Sequence, residues 1–432
     1  MSRRASLALL AAVLLAAPTV AARPAAAQEI AIVGGTVHPV SGPPIQGATV
    51  LIRDGRIAAV GTDVEVPASA QIIDATGTVV TPGLFDPWSS IGLVEVDQVR
   101  STNDDRLADD EDIVTAAFDP LYGLNPRSTL IPWARLGGVT TVATGPRGGL
   151  IAGQASVIDL AGTSAAEMIG EPKVAMVATF GETGAARAGG ARGGAALRLQ
   201  EVLEDARFWA ARRAAYDSGD SRELSESRLD FAALQPVLEG RMPLLVEVHR
   251  ASDIVAVLAL AREYGFRPVI VGGSEAWMVA GELAAAEVPV ILKPLTSLPS
   301  SFERLGARFD NAARLAEAGV AIAFSSFENH RAPTIAQEAG NAVRFGLSPA
   351  VALRAITLTP AEIYGVADRY GSLEPGKVAD VVVWSGDPLE VTTLPETVIL
   401  RGRIVPDRSR QRKLLERYRS LDGERPPAWR AE

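Results

Sequence analysis

Three apolar runs, Leu244–Val248, Arg267–Val271 and Val288–Leu292, start about 22 residues apart, and the stretches between them have helical character. The first gap holds Ser252–Tyr264 and the second Ser274–Ala286. After the third run come the helical Asn311–Ala318 and a further apolar run, Val320–Phe324. Strand and helix alternating at this interval mark βα units of a parallel sheet, whose strands are buried on both faces and therefore apolar throughout. Val79–Phe85, Val139–Ala143, Val157–Leu160 and Val174–Phe180 extend the series backwards, giving about eight strands between residues 79 and 325. Eight such strands suit a closed barrel better than an open sheet, although counting alone leaves a doubly wound sheet available.

Outside this series the pattern is different. Ile30–Val37, Ala48–Ile52, Arg56–Gly61 and Gln71–Asp74 are short β-patterned pieces, and Asp54-Gly55 suits a tight hairpin turn between two of them. About 50 residues of antiparallel sheet cannot bury a core of their own. The β-patterned Ala379–Trp384 and Thr397–Val405 near the other end are the natural partners, which makes this domain discontinuous. Before them, Ser348-Pro349 reads as a helix start, and Thr359-Pro360-Ala361-Glu362 has capping-box spacing with Gly365 as a stop. Gly181–Ala196 reads as a mobile glycine- and alanine-rich loop, Asn103–Asp112 as a solvated acidic loop, and 408–420 as a charged surface helix.

Composition narrows the chemistry. The 432 residues include no cysteine, which excludes disulfides, thiolate-bound metals and thiol nucleophiles. Only three histidines are present, His38, His249 and His330, so a site built on three imidazoles is almost out of reach. Arg3 and Arg4, the apolar stretch Ala5–Ala17 and the small residues Ala25-Ala26-Ala27 have the layout of a secretory signal peptide, implying a periplasmic or secreted protein. Removing residues 1–27 takes three arginines from the 42 basic residues, leaving 39 against 51 acids and a net charge of −12. That sign disfavours nucleic acid and anionic membrane as partners.

The stretch Val80-Thr81-Pro82-Gly83-Leu84-Phe85-Asp86 resembles the opening of the first barrel strand in the amidohydrolase superfamily, specifically its imidazolonepropionase-like group. The hairpin Asp54–Gly61, the segment Ala352–Tyr364 and the segment Gly371–Asp380 resemble other parts of the same family, so the likeness runs from residue 30 to about 405. The implied fold is α/β: a (β/α)8 TIM-like barrel plus a small discontinuous β-sandwich, or composite, domain. The expected organisation is a signal peptide at 1–27, a barrel at 81–366, composite-domain parts at 28–80 and 367–407, and a charged helical tail at 408–432.

The resemblance implies a hydrolase of non-peptide C–N bonds whose first strand carries D-x-H-x-H, both histidines binding a catalytic divalent metal, typically zinc. Here Trp88 and Ser90 stand at those two places, and neither is a competent replacement for imidazole. Asp159 is the candidate for the fourth strand and His249 for the fifth. Gly272 stands where the sixth strand should supply a histidine, and Ser325 and Ser326 where the eighth should supply an aspartate. Glu247 and His249 lie two apart on one strand and face the same way. They could form a sparse metal site with Asp159, or a simple hydrogen-bonded pair. Lys293 could hold an anionic ligand in the barrel mouth or pair with an acidic neighbour. Ser325 and Ser326 with His330 and Glu328 offer a Ser–His pair, but lack a nucleophile-elbow context. His38 reads as a surface residue.

Two functions follow. One is a divergent or weak hydrolase. The other is a catalytically silent relative that binds a small molecule in the barrel mouth, or that acts as a homo-oligomer or as a partner subunit of an intact amidohydrolase.

Overall fold

The computed structural model describes residues 29–107, 112–406 and 410–419. The expected signal peptide lies outside them. Residues 410–418 form a helix, and the expected charged tail beyond residue 419 lies outside the described residues.

Two eight-stranded sheets make up the architecture. The first collects both ends of the chain: β1 (Ile30–Val37), β2 (Ile45–Arg53), β3 (Arg56–Gly61), β4 (Gln71–Asp74) and β5 (Val79–Pro82) precede the barrel. Asp54 and Gly55 both have positive φ, 51° and 74°, as the turn between β2 and β3 requires. The second sheet runs in chain order through β6 (Leu84–Ser89), β7 (Val139–Thr144), β8 (Ile151–Asp159), β9 (Ile169–Thr179), β10 (Leu244–Val248), β11 (Pro268–Gly272), β12 (Val290–Leu292) and β13 (Ile322–Phe324). The chain then returns to the first sheet through β14 (Val381–Trp384), β15 (Pro395–Leu400) and β16 (Arg403–Ile404), with β14 antiparallel to β5. The described segments on either side of the barrel thus form one composite domain.

The run Val79–Phe85 is not one strand. Val79–Pro82 pairs with β1 and β14 in the composite sheet, and the barrel begins at Leu84 after Gly83. A Cβ on Gly83 would lie 2.2 Å from Thr140 Oγ1, so only glycine lets the chain pass between the two sheets at this point.

The barrel also departs from an all-parallel sheet. Strand β8 is antiparallel to both β7 and β9. The strand begins at Ile151 rather than Val157, leaving only residues 145–150 after β7. A parallel crossover needs a dozen or more residues. Gly148 and Gly149, at φ 86° and 75°, instead turn the chain back as a hairpin.

Inside the barrel, Phe85, Ala143, Val157, Val177, Leu245, Val271, Ile291 and Ala323 form a packed layer. A second cluster, including Leu84, Val142, Val246, Val248, Ile254 and Phe324, joins the strands to the surrounding helices. Gly181–Ala196 is not a loop: it forms the helix Gly181–Arg187 and the start of the helix Arg192–Ala211, tied down by Arg192 Nε on Asp253 Oδ2 at 2.7 Å. The capping box at Thr359 does not form. Thr357 is the N-cap, and Glu362 instead pairs with Arg354. Among the described residues no helix is long and apolar enough to cross a membrane.

Candidate functional site

Parallel barrel strands place their C-terminal ends at one mouth, where loops can assemble a site. Leu245 belongs to the interior layer, so Glu247 and His249, two and four residues on, face the same interior at the top of β10. The carboxylate of Glu247 makes no hydrogen bond or ion pair among the described residues. Burial raises its pKa above the usual carboxylate range, opposed by the nearby Arg304 and Arg147 and reinforced by Glu303.

His249 does not pair with Glu247. Its Nδ1 lies 2.9 Å from Ser274 Oγ and its Nε2 lies 2.6 Å from an Nη of Arg304. A guanidinium can only donate, so Nε2 accepts and Nδ1–H donates to the serine. Burial and the Arg304 charge push the imidazole pKa down to about 3, so the ring is neutral. Gly272 makes room for it: a Cβ there would come within 2.2 Å of His249 Cε1.

Arg304 comes from the loop after β12 and is held by its neighbours. Glu303 Oε2 accepts the backbone N–H of Glu182 at 2.8 Å. Glu275 Oε1 accepts the Gly306 N–H at 2.8 Å, and the Trp277 indole donates to the Gly306 carbonyl at 2.8 Å. Nothing in the local sequence marks this arginine, and sequence reasoning missed it together with Ser274, Glu275 and Glu303.

The other side of the mouth is built on Asp86, also missed although it ends the Thr81–Asp86 motif. Ser325 Oγ donates to Asp86 Oδ1 at 2.5 Å and Ser326 Oγ to Oδ2 at 2.9 Å. Asp86 is fully buried, and desolvation raises its pKa against these donors. The two serines are thereby committed to the carboxylate. His330 is exposed and pairs with Glu328 at 3.2 Å, so no Ser–His pair forms. Ser90 is buried, its hydroxyl donating to Asp105 at 3.1 Å and its N–H to Asn329 Oδ1 at 2.9 Å. Trp88 packs against Phe327 with ring centroids 6.4 Å apart. Lys293 forms an ion pair with Glu328 at 2.6 Å. Asp105, within the expected acidic loop, is wholly buried and bound by Arg147 Nε at 2.7 Å. His38 is half-buried in the composite sheet, which lowers its pKa.

Asp159 is at the wrong end of the barrel for this site. Because β8 runs antiparallel, its last residue pairs with Thr141 near the start of β7, beside the composite domain. There Asp159 binds Arg401 and Tyr370, and it cannot complete a set with Glu247 and His249.

A hydrolytic metal needs about three protein ligands and an open position. Among the described residues no group of three or more histidine, aspartate or glutamate side chains could hold one ion. The one well-placed imidazole also has its Nε2 lone pair engaged by a guanidinium. The donor set around His249 does not fit a catalytic zinc.

A family model described as "Amidohydrolase family" matches residues 245–405. The crystal structure of an amidohydrolase from Thermotoga maritima MSB8 superposes with a TM-score of 0.80 at 32% identity, covering 88% of this chain and 100% of that one. An imidazolonepropionase of Symbiobacterium thermophilum is 26% identical over 430 residues, 85% of this chain and 92% of the relative. Amidohydrolase tasK of Hapsidospora irregularis is 27% identical over 399 residues, 82% of this chain, which spans only 39% of that relative's length.

Proposed function

The chain belongs to the amidohydrolase family, and from that membership we propose that it is a catalytically silent member, exported from the cytoplasm, whose barrel mouth binds a small molecule without metal-dependent hydrolysis. One observation carries this reading: Arg304 donates to His249 Nε2. Metal ligation needs that same lone pair, and a fixed positive charge beside it opposes a dication as well. The remaining residues at the mouth support the same reading. Trp88 is used in packing, Ser90 is bonded to Asp105, and Ser325 and Ser326 are bonded to Asp86.

Metal analysis of the purified full chain tests it. The expected result is far less than one zinc, manganese or iron per chain, with no change in His249→Ala. About one equivalent of metal per chain, lost in His249→Ala, would overturn the reading and favour a divergent hydrolase.

A further inference from the structure

Three polar groups on the loop after β12 and at the end of β10 lack partners among the described residues. Arg304 spends one Nη on His249, but its Nε is buried without an acceptor. Ser301 Oγ, three residues earlier on the same loop, is buried and unpaired. Glu247 interacts with Arg304 through space and is not hydrogen-bonded to it. Buried polar groups are normally satisfied, and opposite charges facing one barrel mouth can close into a direct ion pair. Here the guanidinium is held back by its bond to His249 and by the clamps at Glu303 and Gly306, and the carboxylate by its place on β10.

The result is a fixed dipole, positive at Arg304 and negative at Glu247, with no ion pair closing either end among the described residues. A simple anion would meet Glu247, and a simple cation would meet Arg304. A ligand carrying both charges in reverse order satisfies both ends. We infer that the barrel mouth binds a small zwitterion, an amino-acid-like molecule whose carboxylate takes the Nη of Arg304 that His249 leaves uncommitted and whose ammonium takes Glu247. This rests on the metal-free reading of the site above. Arg147 does not compete for the ligand, because Asp105 and Asp97 already occupy it.

Calorimetric titration of the full chain with glycine, β-alanine and γ-aminobutyrate tests the inference, with propionate and propylamine as probes that carry only one of the two charges. One of the three zwitterions is expected to bind about tenfold or more tighter than either single-charge probe. Arg304→Gln is expected to remove that binding. Glu247→Gln is expected to leave a chain that no longer distinguishes β-alanine from propionate, and it serves if the arginine variant fails to fold. Equal binding of propionate, no binding of any zwitterion, or full binding by Arg304→Gln would overturn the inference. Metal analysis of the same sample separates the two failures. Bound metal defeats the reading of the site, whereas a metal-free chain that ignores zwitterions defeats only this inference.

Discussion

Gly272 and His249 show how one residue sets the character of the mouth. Gly272 has φ 93°, and the imidazole lies where its side chain would be. An alanine there would adopt an unfavourable backbone conformation and displace the ring that anchors Arg304. Gly272→Ala is therefore expected to lower stability by about 2 kcal/mol or more, read as a shift in the urea midpoint at constant slope. The sequence pointed to Gly272 only as a missing ligand. Its positive role needs the position of the ring above it, which belongs to another strand. His249 was legible as an interior residue at a strand end, but its partner was not, because Arg304 is 55 residues away on a loop without a motif.

Among the strands, the seam between β6 and β13 departs from the rest of the barrel. The ordered ladder runs from β6 to β13 without closing. Side chains bridge the gap instead: Ser325 and Ser326 to Asp86, and Asn329 to the Ser90 N–H. Removing both hydroxyls would leave a buried carboxylate with only backbone donors. The double variant Ser325→Ala/Ser326→Ala is expected to lose about 2–4 kcal/mol in equilibrium unfolding, more than either single change. Serine as a carboxylate holder was hidden in the sequence, since Asp86 lies 239 residues from Ser325. The direction of β8 was hidden for a different reason. Its first six residues, Ile151–Ser156, mix alanine, glycine and glutamine with a single isoleucine, so the apolar signal begins at Val157 and leaves an apparent gap wide enough for a crossover.

Across the whole molecule, barrel and composite domain are joined by a buried charge cluster. Arg401, between β15 and β16, places Nε 2.7 Å from Asp159 Oδ2, and Tyr370 donates to the same oxygen at 3.1 Å. The Arg401 N–H donates to Asp380 Oδ1 at 2.8 Å, and Thr141 lies 3.4 Å from the other oxygen. Burial also raises the Asp159 carboxyl, opposed by the Arg401 guanidinium bound to it. Asp380 has only neutral donors, and burial with the neighbouring Asp159 charge pushes its carboxyl up to about 7. In the unfolded chain the same group titrates near about 4. The folded state therefore holds the extra proton between these values, so Asp380 makes stability fall as pH rises from about 4 to about 7 and level off above. Unfolding free energies measured across that range should fall as pH rises, and Asp380→Asn should flatten the slope. An unchanged slope in the variant would show that another group carries the titration.

What the sequence by itself determined is local or repetitive: the Asp54-Gly55 hairpin, the apolar strands from Leu244 to Phe324, and the paired end segments Thr81–Asp86 and Gly371–Asp380 that identify the fold. Period and turn chemistry act over a few residues, so they can be read from the chain. The tertiary structure alone decided which end of the barrel receives Asp159 and which group engages His249 Nε2. Both depend on where a strand reverses or a loop comes to rest, and that is set by packing between residues far apart in sequence.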